Sequence, residues 1–367
     1  MRGSITRLPA TAAILFLAAV TQSAAATEQI RQYQFAAADN GYRLEQKSVP
    51  MPVAADHQVL VRVRAVSLNH RDLNMLRSAY GGDYDLSGTI PLSDGAGEVI
   101  AVGRDVTRFK VGDRVAGIFF EKWLDGAPSD EALVSDRGGN AGGMLSEVIV
   151  SHEDGLVAIP EHLSWEEAAT LPCAAVTAWV GLFKRGHIEA GQYVLLEGTG
   201  GVSIFGLQLA HAAGAIPVIT SSSDAKLEFA KTLGAHGTVN YRDNPDDWHL
   251  KAKAFTGGHG FDQVLDVVGR STLPKALEVL ANGGNVALIG GLSGYGSDLP
   301  TDAIMWINAT ASGVYVGSRA DFEAMNDFIS KHKLRPVIDR VFEFEQAAEA
   351  HAYLESGNFV GKVVIRL

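Results

Sequence analysis

The feature that most constrains this chain is a group of glycines between a predicted strand and a predicted helix. The apolar residues 192–196 are followed by Gly198, Gly200 and Gly201, which precede the apolar stretch 207–214. Glycines let the backbone approach a pyrophosphate closely, and unpaired N–H groups at a helix start attract its anionic oxygens. Such glycines alone are often ordinary turns, but a strand before them and a helix after them favour a dinucleotide site.

Length and composition allow two domains with substantial cores. The chain has 367 residues, of which 47% are hydrophobic. This is enough for roughly two domains of ordinary size, about 100 to 200 residues each. The formal net charge is -11, and no run of lysine and arginine is longer than two residues. Both observations argue against binding to a phosphate backbone, so nucleic acid is not an expected partner.

The sequence offers no evident metal site. Cys173 is the only cysteine, and the 11 histidines show no HExxH or comparable spacing. We therefore expect neither an intramolecular disulfide nor a zinc cage. Cys173 lies in an apolar stretch and is predicted to be a small core residue rather than a nucleophile, because burial raises the pKa of a thiol.

Residues 1–26 have the pattern of a secretory signal. Arg2 and Arg7 form a basic start, residues 10–20 are an apolar run too short to span a bilayer, and residues 24–26 are alanines suited to cleavage. This pattern predicts a periplasmic or secreted protein with no membrane span in the mature chain. The alternative is an unprocessed N-terminus on a cytoplasmic protein, which the scarcity of dinucleotides outside the cytoplasm favours.

Hydrophobic periodicity divides the rest of the chain into two kinds of structure. Alternating runs at residues 58–67, 97–102 and 112–118 predict half-buried antiparallel strands of a small barrel or rolled sheet. Residues 125–143 are rich in Gly, Asp and Ser and are predicted to form a long loop.

After residue 165, apolar strands alternate with helix-sized segments, which predicts a parallel sheet with right-handed crossovers. The predicted strands lie at residues 193–197, 217–221, 238–241, 263–268 and 285–289. A further strand is predicted at 313–317, a helix at 321–331, and a last strand at 361–367 that packs back on the first domain.

Six motifs carry a family resemblance. They are SLNHRDL at residues 67–73, DGAGEV at 94–99, VGDRV at 111–115, LPCAAVTAW at 171–179, DVVG at 266–269 and GKVV at 361–364. With the order of barrel, glycine-rich domain and returning strand, they resemble the medium-chain dehydrogenase/reductase superfamily over nearly the whole mature chain. Within it the chain is similar to the zinc-free quinone-oxidoreductase-like and alcohol-dehydrogenase-like branch.

The resemblance implies an α/β fold, with a Rossmann doubly wound parallel sheet and a GroES-like β-barrel catalytic domain. The implied divisions are a signal peptide (1–26), the GroES-like domain (27–172), the NADP-binding Rossmann domain (173–308) and a C-terminal segment returning to the catalytic domain (309–367). A homodimer is also implied.

Departures from the zinc-dependent members imply that no zinc binds. Those members carry a cysteine where Asn69 or His70 stands, a His-Glu pair near Ser93 and Asp94, and a four-cysteine lobe. This chain has none of these. The third glycine of the dinucleotide fingerprint is also replaced, by Ser203, which leaves the packing of helix against strand in question.

The end of the second predicted Rossmann strand indicates the nucleotide. Domains that prefer NAD usually carry an acidic residue about 20 positions past the glycines. Here residues 220–223 are Thr-Ser-Ser-Ser, and Lys226 lies nearby. Hydroxyls and a lysine suit a 2′-phosphate, so NADP is favoured and NAD is the alternative. Asp224 would either accept from a ribose hydroxyl or cap the following helix.

The resemblance also supplies the expected dinucleotide contacts. In relatives a lysine matching Lys226 and a tyrosine matching Tyr241 hold the 2′-phosphate, and a threonine matching Thr177 touches the nicotinamide. The complete set of expected contacts is Thr177, Gly200, Gly201, Val202, Ser203, Ser222, Lys226, Tyr241, Val268, Gly290, Gly291 and Lys362.

Hydride addition to an enone places negative charge on the carbonyl oxygen, so a metal-free site needs hydrogen-bond donors there. The resemblance assigns this role to Asn69 and Tyr80, and Asp72 is a further catalytic candidate. The alternatives are that Asn69 and Asp72 hold a loop and Tyr80 is a surface aromatic. Arg71 would steer an anionic substrate or lie in solvent, and Asp94 would be a base or a turn residue.

These features imply a zinc-independent, NAD(P)H-dependent oxidoreductase that reduces quinones or α,β-unsaturated carbonyl compounds. A zinc-free alcohol or aldehyde dehydrogenase is the close alternative, disfavoured because an alkoxide without a Lewis acid is less stable than a conjugated enolate. A nucleotide-binding scaffold without enzymatic activity is the alternative from another class.

Overall fold

The computed structural model describes residues 1, 3, 28–80, 85–294, 296 and 301–367. Apart from positions 1 and 3, the predicted signal segment lies outside these residues. In the described part of the chain no helix has the length and apolar character needed to cross a membrane.

Strands and helices follow one another in an order that separates an all-β part from an alternating part. The strands are β1 (Gln29–Ala38), β2 (Gly41–Pro50), β3 (Gln58–Ser67), β4 (Asp94–Val102), β5 (Arg114–Gly117), β6 (Val148–His152), β7 (Leu156–Ala158), β8 (Tyr193–Leu196), β9 (Ile216–Ser221), β10 (Gly237–Asn240), β11 (Phe261–Asp266), β12 (Leu280–Leu288), β13 (Thr310–Gly313), β14 (Ile338–Glu343) and β15 (Lys362–Arg366).

The helices are mostly short and are concentrated after residue 164. They are α1 (His70–Leu76), α2 (Asp130–Leu133), α3 (Trp165–Ala169), α4 (Val176–Trp179), α5 (Gly201–Ala212), α6 (Asp224–Thr232), α7 (Trp248–Ala254), α8 (Leu273–Glu278), α9 (Thr301–Trp306), α10 (Arg319–His332) and α11 (Ala347–Ser356). The flanks of α4 are π-helical (Leu171–Ala175 and Val180–Arg185), and Glu153–Gly155 and Phe344–Gln346 form 3₁₀ turns.

The first sheet contains the predicted antiparallel strands. Its order is β14-β15-β3-β4-β5-β7, with β6 also paired to β3. Val59, Val61 and Val63 of β3 are at most 2% exposed, whereas Arg62 between them is exposed. This alternation buries one face of the strand against the core of the sheet. The predicted strand 97–102 begins earlier, at Asp94, because residues 94–96 are also buried and pair with the end of β3.

The second sheet is the predicted parallel one. Its order is β10-β9-β8-β11-β12-β13, and each neighbouring pair is parallel. This is the doubly wound Rossmann order, in which the direction of winding reverses between the first and fourth strands of the sheet. The reversal lies between β8 and β11, and their carboxyl ends open a crevice for a ligand there.

Two predicted elements at the C-terminal side need correction. The sixth parallel strand is Thr310–Gly313, not 313–317, because Val316 has a left-handed φ of 57° that a strand cannot continue through. The predicted boundary at 308 therefore falls before the last strand of the sheet. The helix predicted at 321–331 begins at Arg319, because Ser318 and Asp321 form a reciprocal cap.

The C-terminal strand returns to the first sheet, as predicted. Residues of β15 pair antiparallel with β3. Immediately before β15, the amide of Gly361 donates to the carbonyl of Thr199 at 3.0 Å. The glycine turn of the second sheet is thus joined to the segment that completes the first sheet, and Lys362 lies where the two sheets meet.

Candidate active site

A cavity of about 1040 Å³ opens at this junction, at the carboxyl ends of the central parallel strands. Every predicted site residue except Asp72 lines it. These residues are Asn69, Tyr80, Thr177, Gly200, Gly201, Val202, Ser203, Ser222, Lys226, Tyr241, Val268, Gly290, Gly291 and Lys362. Positions separated by almost 300 residues therefore share one space.

The glycine turn leaves room for a bound group above the start of α5. Gly198 has a φ of +77°, which favours glycine, and a Cβ added at Gly198 or Gly200 would meet no atom within 4 Å. Gly200 is the N-cap of the 12-residue helix α5, whose first N–H groups lack partners within the helix. This geometry suits the pyrophosphate of a dinucleotide.

The third fingerprint glycine normally allows close packing of helix against strand. Here a glycine one turn later takes that role. Ser203 is buried and donates from Oγ to the carbonyl of Glu197 at 2.6 Å, which ties the helix to the end of β8. Close packing occurs at Gly206, where an added Cβ would lie 2.8 Å from Leu196 and 2.9 Å from Leu265. Sequence reasoning missed Gly206 because it looked only at the fingerprint spacing.

The predicted 2′-phosphate residues lie at the far end of the cavity. Lys226 donates from Nζ to the carbonyls of Gly357 at 2.7 Å and Phe359 at 2.9 Å. Burial lowers the pKa of Lys226. Asp224 accepts from Asn240 at 2.8 Å, and the N-cap residue of α6 is Ser223. Asp224 is therefore neither the N-cap nor part of the cavity wall.

The side-chain oxygen of Asn69 accepts a hydrogen bond, whereas its side-chain nitrogen has no partner among the described residues. Its Oδ1 accepts from Lys362 Nζ at 2.5 Å, and the same ammonium donates to the carbonyl of Leu68 at 2.7 Å. The Nδ2 atom of Asn69 is buried, and no hydrogen-bond partner for it occurs among the described residues. A buried amide without a partner is costly, so its N–H groups are suited to a ligand oxygen in the cavity.

Asp72 has a structural position. Its Oδ2 accepts from the Asn69 backbone N–H at 2.7 Å, which completes the cap of α1. Burial raises the pKa of Asp72 to about 6. Because its side chain does not line the cavity, Asp72 shapes the turn that presents Asn69 instead of contacting a substrate.

The residues that replace the zinc ligands of related enzymes do not fit a metal. Asp94 is fully buried and accepts from Ser93 Oγ at 2.8 Å, and Lys362 Nζ lies 3.5 Å from it. An ammonium therefore occupies the place next to the carboxylate. Burial, reinforced by the negative charge of Asp94, raises the pKa of the Cys173 thiol. Over the described ranges no three His, Cys, Asp or Glu side chains converge as ligands.

Arg71 lines the cavity and does not lie in solvent, but its charge is paired with a carboxylate. Its side chain is buried and forms an ion pair with the buried carboxylate of Asp136. The guanidinium lies 4.9 Å from the ring centre of Tyr80 and 4.6 Å from that of Phe119. Sequence reasoning missed this because the partner carboxylate lies in the loop predicted at 125–143, which offered no local signal.

Two further cavity residues were not predicted. The phenol oxygen of Tyr315 lies 3.2 Å from that of Tyr80. Glu197 follows β8, next to Asp266 at the end of β11. Burial, reinforced by the negative charge of Asp266, raises the pKa of Glu197 well above its ordinary value. Repulsion from Asp266 thus adds to burial in disfavouring the charged form of Glu197.

Comparisons with known proteins agree with this architecture. The chain matches the family described as alcohol dehydrogenase GroES-like domain over residues 55–161 and the family described as zinc-binding dehydrogenase over residues 201–331. It is 44% identical to a zinc-type alcohol dehydrogenase-like protein of Schizosaccharomyces pombe, over 84% of this chain and 91% of that protein.

Two other relatives extend the comparison. A 2-methylene-furan-3-one reductase of Solanum lycopersicum is 33% identical over 87% of this chain and 74% of that protein. A crystal structure of an alcohol-dehydrogenase-type protein from Sinorhizobium meliloti 1021 superposes with a TM-score of 0.87 at 38% identity, covering 93% of this chain and 99% of the other. Fold, cradle and relatives agree, and the chain belongs to the medium-chain dehydrogenase/reductase superfamily of NAD(P)-dependent oxidoreductases.

Proposed function

We propose that this protein is an NADPH-dependent reductase of α,β-unsaturated carbonyl compounds or quinones that works without a metal. The observation that carries the proposal is the Asn69 carboxamide in the cavity wall, whose oxygen is held by Lys362 and whose buried N–H groups have no partner among the described residues. Bound NADPH would supply a hydride to the β-carbon of the substrate. The carbonyl oxygen would then gain negative charge, which N–H and O–H donors stabilise.

The protein's own residues supply two such donors. The Asn69 amide offers N–H groups from the end of β3, and Tyr80 offers its phenol from beyond α1. A conjugated enolate spreads its charge and needs only hydrogen bonds, whereas an alkoxide is better matched to a Lewis acid. The name of the Solanum lycopersicum relative, a 2-methylene-furan-3-one reductase, supports the same substrate class.

The charges around the cavity support NADP over NAD. The basic side chains that line it are Arg71, Arg77, Lys226, Lys275 and Lys362, and the acidic ones are Glu197 and Glu355. Lys226 and Lys275 contact backbone carbonyls, so these contacts leave their charges uncompensated. Because Arg71, Arg77 and Lys362 are paired with carboxylates, these two lysines supply the uncompensated positive charge, which favours a ligand with an additional phosphate.

The nucleotide preference is tested by Lys226→Ala. A lost charge-assisted bond to a phosphate costs about 1.5 to 3 kcal/mol, so we expect the Kd for NADPH to rise by at least about tenfold with little change for NADH. Lys231→Ala on the same helix, where the lysine pairs with Glu228, is the matched control. Equal effects on the two nucleotides would refute the assignment of Lys226.

The activity itself is tested with a substrate panel. We expect the purified protein to oxidise NADPH with 1,4-quinones or enones, and to lose this activity in Asn69→Ala. Activity confined to primary alcohols with NADP would instead establish the alcohol dehydrogenase alternative. If tryptophan fluorescence and thermal shift show no nucleotide binding, both the reductase and the alcohol dehydrogenase hypotheses fail.

We also propose a homodimer. Strand β13 is at the edge of the parallel sheet, and Met305 and Trp306 on the adjacent helix α9 are 60% and 75% exposed. An open edge beside exposed apolar side chains suits pairing with a second copy. Light scattering at micromolar concentration should give twice the chain mass; a monomer would refute this.

Export remains a proposal from the N-terminal pattern. Mass spectrometry of the protein made in its host should show a chain that begins after residue 24, 25 or 26. An intact N-terminus would favour the cytoplasmic alternative.

A further inference from the structure

We propose that Tyr315 donates a proton to Tyr80, so that the two phenols form a route from solvent to the carbonyl oxygen of the substrate. The inference rests on the proposed function, in which Tyr80 contacts that oxygen. It adds a residue that neither the motifs nor the family comparison identified, and it gives the route by which the consumed proton is replaced.

The contact between the phenols has the geometry that such a transfer requires. The two oxygens lie 3.2 Å apart, and either can be the donor. Tyr80 is partly buried in the cavity wall, whereas Tyr315 is 45% exposed. When Tyr315 donates to Tyr80, the Tyr80 hydroxyl can in turn donate to a ligand oxygen. Tyr315 in turn can exchange its proton with water.

The backbone beside Tyr315 is strained in a way that serves this contact. Val316 has a φ of 57°, a left-handed conformation that is unusual for a β-branched residue. Such conformations cost about 1 to 3 kcal/mol and persist where the surroundings enforce them, often at functional sites. Val316 follows the end of β13 by three residues and directly follows Tyr315, whose partner Tyr80 is 235 positions away in the chain.

Packing fixes the ring of Tyr315. It meets the edge of Phe120 with ring centres 4.9 Å apart and that of Phe119 at 6.1 Å. Both phenylalanines are at most 2% exposed. The hydroxyl is thus carried on a ring held by a rigid core, which favours a constant distance to its partner.

The surroundings of Tyr80 moderate the effect of its burial. Burial raises the pKa of Tyr80, while the positive charge of Arg71 and the hydrogen bond from Tyr315 oppose that rise. Arg71 is itself fixed by Asp136 and donates to the carbonyl of Arg137 at 2.6 Å. A fixed cation over the ring stabilises the phenolate that forms when the proton leaves.

The proton steps balance with the proposed reduction. After hydride addition to the β-carbon, the electron pair of the Cα–Cβ double bond moves toward the carbonyl, whose oxygen becomes an enolate. The O–H bond of Tyr80 breaks and its proton goes to that oxygen. Tyr315 transfers its own proton to the Tyr80 phenolate, and water re-protonates Tyr315. The substrate leaves as an enol that becomes the ketone, or as a hydroquinone.

The phenol pair is tested without substrate or nucleotide. In protein labelled at the tyrosine ζ-carbon, NMR titration of wild type, Tyr315→Phe and Tyr80→Phe assigns the midpoint of Tyr80. Removing the donor should raise that midpoint by about one pKa unit. Tyr353→Phe, which removes a surface phenol bonded to Asp339, should leave it unchanged. An unchanged midpoint in Tyr315→Phe would overturn the inference.

Single-turnover kinetics test the transfer itself. General acid catalysis contributes about 10² to 10⁴ in rate, and a phenol one step removed should contribute less, so we expect Tyr315→Phe to slow reduction about tenfold and to change the solvent isotope effect. NADPH affinity should not change. If Tyr80→Phe is inactive and Tyr315→Phe is normal, the relay is refuted and the proposed function stands. If Tyr80→Phe is normal with enones and quinones, the proposed role of Tyr80 fails.

Discussion

Lys362 donates from Nζ to Oδ1 of Asn69 at 2.5 Å, and this bond determines which way the Asn69 carboxamide faces. An ammonium has only donors and can accept nothing, so the oxygen must turn to Lys362 and the N–H groups away from it. The carboxamide is therefore fixed before any substrate binds. Preorganised donors of this kind are a major source of rate enhancement in enzymes.

The variant Asn69→Asp removes the N–H donors of the side chain while keeping the folded structure. An aspartate keeps the size of the side chain and can still accept from Lys362, but its carboxylate cannot donate to an oxyanion. Loss of one preorganised donor costs about 10² to 10³ in rate, and we expect this loss in kcat with enones. Circular dichroism and melting should show an intact fold. Activity close to wild type would mean that the carboxamide N–H groups are not used.

The variant Lys362→Met tests the buried contacts that Lys362 makes with Asn69 and Asp94. It leaves Asn69 free to turn and removes the cation 3.5 Å from buried Asp94. Removal of one partner of a buried pair costs about 3 to 5 kcal/mol, so the free energy of unfolding should fall by about that amount. Lys184→Met, which breaks an ion pair with Asp321 outside the cavity, is the control for general effects of losing a lysine. An unaltered denaturation midpoint in Lys362→Met would contradict the buried ion pair.

Two glycine substitutions in the nucleotide cradle should have opposite consequences. Gly206→Ala would bring a Cβ within 2.8 Å of Leu196, and overpacking of this kind costs about 1 to 3 kcal/mol. Gly200→Ala meets no atom within 4 Å, so the fold should be kept while the methyl group obstructs the pyrophosphate. Urea denaturation and NADPH titration distinguish them. A destabilised Gly200→Ala with normal affinity would contradict the cradle.

Glu197→Gln should change how stability depends on pH. Unfolded glutamate ionises near 4.5, whereas burial raises the pKa of Glu197 in the fold. Above 4.5 the folded state binds more protons than the unfolded chain, so this group lowers stability as pH rises until its raised pKa is passed. The glutamine variant lacks this loss and can donate to Asp266. The Tm difference between variant and wild type should therefore grow from pH 5 to pH 8, and a constant difference would contradict the raised pKa of Glu197.

Local patterns were sufficient for the parallel sheet and for the cradle. Alternating valines in β3 and the apolar runs before and after Gly198 are signals carried by consecutive residues. The lining of the cavity by Asn69 and Lys226 followed from the family resemblance, which summarises long-range contacts that no local period contains. Both kinds of inference succeed when the needed information lies in short segments.

Contacts between side chains that lie far apart in the sequence could not be predicted. The contacts of Arg71 with Asp136 and of Tyr80 with Tyr315 join residues 65 and 235 positions apart. Neither partner lies in a periodic segment that marks it. The strand predicted at 313–317 was wrong for a related reason. Residues 314–316 are apolar or aromatic because they line the cavity. The left-handed backbone of Val316 is incompatible with a strand, despite their strand propensity.

The most direct test of the account is NADPH-dependent reduction of an enone by protein dialysed exhaustively against a chelator, with Asn69→Asp measured beside it. We expect the dialysed wild type to retain its kcat, zinc to add nothing, and Asn69→Asp to lose about 10²-fold. Activity that disappears on dialysis and returns with zinc, or an Asn69→Asp enzyme as fast as wild type, would contradict the claim that fixed amide and phenol donors replace a metal.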